Sequence, residues 1–277
     1  RKYLEHSEKQ LGVTQWLIEA SFGERLPSVA DPANPHHILV RCDDELWLKE
    51  SLINRAVQAL PTDWQYVAWV DADVTFVRPD WAVEVIHQLQ HYAAVQTWTH
   101  AHDLGPNHET IGSATSFMAR YLNGEKLNDR YVGGFHPGYS WAWRREAWDA
   151  VGGMIDRGIA GAGDRHMACA LVGQPDLSIP KGVHPNYQAM VASWGALAER
   201  YVRRNVGVVQ GTLLHSFHGW KADRRYHDRW KILVDNQYDP YADVRMGWQG
   251  IIHLADHKIK LRDDLRRYFR ARNEDAR

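Results

Sequence analysis

Apolar runs that end abruptly in charge recur through the first hundred residues, with amphipathic stretches between them. Val13-Thr14-Gln15-Trp16-Leu17-Ile18 runs to Glu19, and His37-Ile38-Leu39-Val40 runs to Arg41. Tyr66-Val67-Ala68-Trp69-Val70 runs to Asp71 and Asp73, with Val74-Thr75-Phe76 beyond. Short runs without alternation predict strands, and the last predicts one buried on both faces. A stripe at Leu48, Leu52, Ile53, Ala56, Val57 and Leu60 repeats at the helical period, with Asp43 or Asp44 as its cap and Pro61 as its end. Pro79 opens a second helix with Val83, Ile86 and Leu89 inward, and residues 93–96 form a further strand. Residues 1–10 read as the end of a helix, and the full gene product is expected to carry another strand before it.

Strand alternating with helix predicts an α/β fold whose first half, residues 1–97, is doubly wound around a mainly parallel sheet. Ligands of such sheets bind beyond the carboxyl ends of the strands, where Glu19, Arg41, Asp71 and Asp73 stand. Buried carboxylates are costly unless positive charge meets them. Asp71 and Asp73, separated by the small Ala72, are therefore candidates to hold a divalent cation and through it a diphosphate. A bare Asp-x-Asp also fits an acidic turn after a strand.

Periodicity disappears over residues 98–136, which predicts a long loop, functional or mobile. Gly133-Gly134-Phe135-His136-Pro137-Gly138-Tyr139-Ser140-Trp141-Ala142-Trp143-Arg144-Arg145 then predicts a short strand and a short helix stopped by Gly152-Gly153. Gly161-Ala162-Gly163-Asp164-Arg165 presents Asp164 at a helix N-terminus, where it also reads as a cap. Residues 98–220 form the catalytic half. Residues 221–277 form a C-terminal extension with a turn at Asp239-Pro240 and a last helix, 259–272, burying Leu261, Leu265 and Phe269.

Composition changes this picture little. The 277 residues are 44% hydrophobic, which suits one globular domain. The 13 Trp are many, and those in loop-like stretches read as packing or as a platform for a sugar or base. A net charge of −1 excludes general attraction to a polyanion, yet from Lys221 onward there are 14 Lys+Arg against 10 Asp+Glu. Lys221, Arg224, Arg225 and Arg229 make a basic helical face: solvated, a lid on phosphate, or a path for an acidic acceptor. Cys42 and Cys169 are too few for a disulfide framework, so a reduced, cytoplasmic setting is expected. No apolar run approaches the roughly 20 residues of a membrane span, and there is no signal-peptide pattern.

As a set, the Asp-x-Asp strand, the Gly-rich strand with aromatic-Ala-aromatic, Arg-Arg, Gly-Gly and the Gly-x-Gly-Asp loop resemble the GT-A fold of nucleotide-sugar glycosyltransferases. The motifs are similar to those of polypeptide N-acetylgalactosaminyltransferases, lactose-synthase-type galactosyltransferases and glycosyltransferase-like proteins of bacteriophages. The resemblance covers about Val13 to Arg229. It implies transfer of a sugar from a UDP-sugar to a hydroxyl, with manganese or magnesium on Asp71, Asp73 and a late histidine. Val208-Val209-Gln210-Gly211-Thr212-Leu213-Leu214-His215-Ser216-Phe217-His218 supplies that histidine: His215 by alignment with the strand end, or His218. Asp164 matches the acceptor-side carboxylate and is the candidate general base of an inverting displacement, a retaining enzyme being the rival. Trp141, Trp143 and Arg165 stand beside it as acceptor contacts. Glu19, Arg41 and Lys49, with Asp71, match donor contacts, although the spacing of Lys49 also fits a surface lysine. The bacteriophage resemblance makes hydroxymethylated pyrimidines in DNA one candidate acceptor. Cell-surface glycan or protein hydroxyls are another, and a sugar- or nucleotide-binding module without turnover is the non-enzymatic alternative. For DNA, docking falls to the basic face and to Arg262, Arg266, Arg267 and Arg270, with a flipped base replaced by Trp or His from the 98–136 loop.

Overall fold

The computed structural model describes residues 12–127, 134–220, 224–225 and 228–272. The helix end expected at residues 1–10 lies outside them, as do Gly133 and Lys221. In chain order the elements begin with β1 (Leu17–Phe22), β2 (His37–Cys42), α1 (Lys49–Gln58), β3 (Tyr66–Val70), β4 (Val74–Phe76), α2 (Trp81–Leu89) and β5 (Ala94–Gln96). Then come β6 (His100–Leu104), β7 (Thr110–Thr115), α3 (Phe117–Leu122), β8 (Ser140–Arg144), α4 (Arg145–Val151), α5 (Gly163–Leu171) and α6 (Pro185–Leu197). The last are β9 (Val206–Val208), β10 (Thr212–His215), α7 (Asp228–Asp235), β11 (Val244–Met246), β12 (Ile252–Leu254) and α8 (Ile259–Ala271).

The fold is mixed α/β, as expected, but its sheets are small and not mainly parallel. One sheet has the order β3-β8-β5-β9, another β4-β10-β6-β7, and β1 with β2 and β11 with β12 form two-stranded pairs. Among the described strands only β1–β2, β10–β6 and β5–β9 pair in parallel. The departure has a simple cause. Residues 98–136 are not one loop: they contain the antiparallel hairpin β6–β7 and helix α3, and β8 runs antiparallel to both its neighbours.

The chain crosses from the first four-stranded sheet to the second three times: from β3 to β4, from β5 to β6 and from β9 to β10. The strand expected to end at Asp71 and Asp73 does so, and Val74–Phe76 beyond it forms a separate strand that pairs with β10 instead of β8. Yet β3 is not buried on both faces. It pairs only with β8, and Tyr66 is exposed. The fully buried strands are β5 and β8 (Ser140 to Trp143).

Three local expectations shift. The ladder with β2 carries β1 on to Phe22, past Glu19. Helix α1 starts at Lys49 with Leu48 as its cap residue, while Asp44 accepts a hydrogen bond from the Leu254 N–H at 3.0 Å. Helix α2 buries Trp81, Ala82, Val85 and Leu89 and leaves Val83 and Ile86 exposed. Its rotation is set by Trp81, which stacks on Phe76 at 4.2 Å and so fixes the i, i+4, i+8 face inward. Other readings hold: α4 ends at Gly152, whose φ of 77° makes the left-handed stop, and α8 buries Leu261 and Leu265. Both cysteines are free and buried, and no helix among the described residues is long and apolar enough to cross a membrane.

Candidate metal centre and acceptor-side carboxylates

Strand register builds the first part of the site. In the antiparallel ladder β4–β10, His215 faces Val74, so Asp73 and Ser216, one residue further out on each strand, lie opposite each other. The Ser216 N–H donates to the Asp73 carbonyl at 2.7 Å and locks that arrangement. In the parallel ladder β10–β6, His215 pairs with Asp103. The result is a convergence of ligand atoms at the seam between the two sheets. His218 Nε2 lies 2.9 Å and His215 Nε2 3.4 Å from Asp73 Oδ2, and the two nitrogens are 3.2 Å apart.

The electrostatics of this group are set by two carboxylates, two imidazoles and the Arg224 guanidinium. Asp103 Oδ1 stands 2.8 Å from His215 Nδ1 and also accepts from the Tyr139 hydroxyl at 3.0 Å. Asp103 thereby holds the Nδ1–H tautomer and turns Nε2 toward Asp73. An Arg224 amine lies 2.8 Å from His218 Nε2. Burial works to raise the Asp73 carboxyl, but hydrogen bonds from His215 and His218 and their charges hold it far below the carboxylate range. Burial works to lower His215, but Asp103 and Asp73 outweigh it and push it up to about 8. Asp73 Oδ1 is buried without a hydrogen-bond partner. An orphaned carboxylate oxygen beside two converging imidazole nitrogens is a donor set able to hold a divalent cation. Among the described residues, Asp73, His215 and His218 are the group able to hold a metal ion, all their ligand atoms lying within 4.8 Å. Both candidate histidines thus belong to it.

Asp71 stands apart from that group. Its carboxylate pairs with Lys49 Nζ at 2.6 Å. Lys49 is thus no free surface lysine: the helix start turns it in toward the β3 end. Burial works against its ammonium, but Asp71, Asp164 and Glu50 outweigh that and hold its pKa above the usual value. Burial pushes the Asp71 carboxyl up against the pull of Lys49, and the charges of Asp73 and Asp164 add to the rise.

Asp164 sits on the first turn of α5, not at its cap. The cap residue is Ala162, in left-handed backbone with φ 80°. Asp164 Oδ1 accepts from the Arg165 N–H at 2.7 Å, and Oδ2 lies so close to Gly138 that a Cβ there would meet it at 2.9 Å. The missing Cβ of Gly138 lets the loop before β8 approach this carboxylate without displacing it. The neighbouring Tyr139, at φ 75°, accepts through its carbonyl from the Asp71 N–H at 2.8 Å. The Asp-x-Asp turn and the loop before β8 are therefore tied together.

The remaining expected contacts have partners within the fold. Trp141 and Trp143 are completely buried, Trp141 donating to the Pro137 carbonyl and Trp143 packing edge-on against Trp148 and Trp194. They cannot touch an acceptor, because β8 is covered on both faces. Glu19 oxygens accept from the N–H groups of Ser28, Val29 and Ala30 at 2.6–2.9 Å and pin the loop after β1. Arg41 donates to Ser21, Gly23 and Arg25 in that same region. Arg165 reaches the Leu177 carbonyl at 3.4 Å, and burial lowers its pKa.

Sequence reasoning missed two carboxylates. Asp103 is buried on β6, on the same side as the buried Ala101. Glu50, 2% exposed, shares its helix face with Ile53 and Val57 at i+3 and i+7, and a charge on an apolar face is the signal that marks it. Burial, then the charge of Asp164, pushes Glu50 up to about 8. A scan of protein-family models finds no match for this sequence, and a search of curated proteins finds none.

Proposed function

We propose that the chain is a metal-dependent glycosyltransferase of the GT-A type, moving a sugar from a UDP-sugar to an acceptor hydroxyl with inversion. The observation that carries the reading is the convergence of Asp73, His215 and His218 where β3 ends, with Asp164 tied in beside it through Gly138 and Tyr139. Asp73, His215 and His218 would hold manganese or magnesium, which supplies positive charge against a departing diphosphate. Asp103 orients His215. Lys49 and Asp71 form the polar floor on the donor side. Asp164 accepts the proton of the attacking hydroxyl.

The acceptor question turns on the basic residues. Arg266 and Arg270 pair with Glu45, Arg267 with Asp264 and Arg262 with Asp263, while Arg225 pairs with Asp228. Docking phosphates there would break ion pairs already made, which favours a glycan or protein hydroxyl over DNA.

The test is a panel of nucleotide sugars assayed for manganese-dependent binding and for slow hydrolysis without acceptor. Binding and turnover that both vanish with chelator are expected. Tight binding without any turnover would favour a binding module, and no metal-dependent binding to any of them would overturn the proposal. Acceptors are then compared across a salt series. Transfer onto hydroxymethylated DNA that weakens steeply with salt would reinstate the DNA reading.

Two outcomes test the histidine environment. Asp103→Asn is expected to weaken manganese binding about 10–100-fold, the usual worth of a carboxylate behind a ligating histidine. Because His215 binds its proton up to about pH 8, manganese must displace that proton. Apparent affinity measured by titration calorimetry should therefore rise with pH through neutrality and level off above that value.

A further inference from the structure

Helix α1 opens with two charged residues, and only one is fully answered. Lys49 meets Asp71, whereas Glu50 turns inward and its Oε1 is buried without a hydrogen-bond partner. The side chain lies against the loop that leads into α5: a Cβ on Gly163 would come within 2.5 Å of Glu50 Cγ and 2.7 Å of Oε1. Gly163 is the residue directly before Asp164, so the buried acid and the acceptor-side carboxylate share one point of packing.

Glu50, Asp71 and Asp164 share the Lys49 ammonium, with the Arg165 and Arg229 guanidiniums nearby on α5 and α7, Tyr187 facing Glu50 from α6 and the Trp47 indole beside it. An ionised carboxylate in such a place is costly unless paired. Asp71 has the ammonium, and Asp164 has the Arg165 N–H and partial exposure. Glu50 is the most buried of the three and has an orphan oxygen, so a proton placed on it removes the largest penalty.

We propose that Glu50 is a positioning residue that carries a proton at neutral pH, and that its neutrality spares Asp164 a second carboxylate charge at their shared point of packing. The role given to Asp164 rests on the glycosyltransferase reading; the location of the proton does not. The direction in which burial and Asp164 push Glu50 agrees with it. Coupling between the two acids is reciprocal, so removing the charge of Asp164 must ease the ionisation of Glu50.

Infrared spectroscopy of the metal-free full chain separates the two parts. A protonated-carboxyl C=O band is expected at neutral pH, lost with a midpoint of about 8 and absent from Glu50→Gln. In Asp164→Asn the same band should titrate at lower pH. The absence of such a band at neutral pH, its survival in Glu50→Gln, or an unmoved midpoint in Asp164→Asn would overturn the assignment. The Asp164→Asn arm keeps Glu50 in place, so it answers even where Glu50→Gln fails to fold. In turnover, Glu50→Gln should keep its donor KM and lose the inflection of kcat near pH 8, which a purely structural role would not move. A chain that passes the infrared test and transfers no sugar refutes the proposed function, not the placement of the proton.

Discussion

Asp73→Ala is expected to abolish manganese-dependent nucleotide binding while the fold stays intact. The carboxylate is the only anionic member of the Asp73, His215, His218 group, and without it two imidazoles remain around a small, hard cation. The loss should exceed the roughly 10–100-fold that follows removal of a supporting partner behind a ligand. The side chain lies in a turn between two sheets and not in either apolar core, so circular dichroism should be unchanged. Stability without metal carries a pH signature. His215 has a raised pKa, so its bonus is complete below the ordinary histidine value and fades as pH rises through about 8. Asp73 has a depressed pKa, so its bonus is present above the ordinary carboxylate value and fades only in strong acid. The variant should therefore lose most stability, relative to its parent, in mildly acidic solution and least above pH 8. Retention of full activity by Asp73→Ala would remove the metal assignment.

Asp164→Asn should lower the rate of transfer by about a hundredfold or more, the usual worth of a general base. The amide keeps the shape and still offers an oxygen to the Arg165 N–H, so α5 and the approach to Gly138 are preserved. Donor affinity should barely change, because Asp71 is held by Lys49 and the metal group is built without Asp164. Single-turnover rates and equilibrium donor binding, measured on the same variant, separate the effects. Weakened donor binding with an unchanged rate would move Asp164 to the nucleotide side.

What was legible in the chain follows from where apolar pattern and chemistry agree. The Asp-x-Asp turn could be read because an apolar run stops at it, and the histidines because they close another. Asp103 could not, because β6 buries Ala101 and Asp103 while Leu104 is only half-buried, so the apolar alternation points the wrong way. Trp141 and Trp143 misled for the opposite reason. Aromatic residues two apart with a small one between them look like a platform on one exposed face, but pairing on both edges and packing on both faces put β8 in the core. The mainly parallel sheet failed with the 98–136 region, where a hairpin of polar, Gly-containing strands leaves little hydrophobic period to find. Helix α2 was found with its phase wrong, since one stacked pair, Phe76 and Trp81, decides its rotation.

The seam where the chain passes three times between sheets also sets the order in which the molecule can be made. Asp103 and its partner His215 are 112 residues apart. At about 5–20 residues per second on the ribosome, the carboxylates emerge several seconds or more before the imidazoles that neutralise them. Until then Asp73 and Asp103 lack their imidazole partners, with no β10 to pair against β4 and β6. The centre therefore closes only once β10 has emerged, and cation uptake by a nascent or truncated chain reports whether β10 has been laid into place.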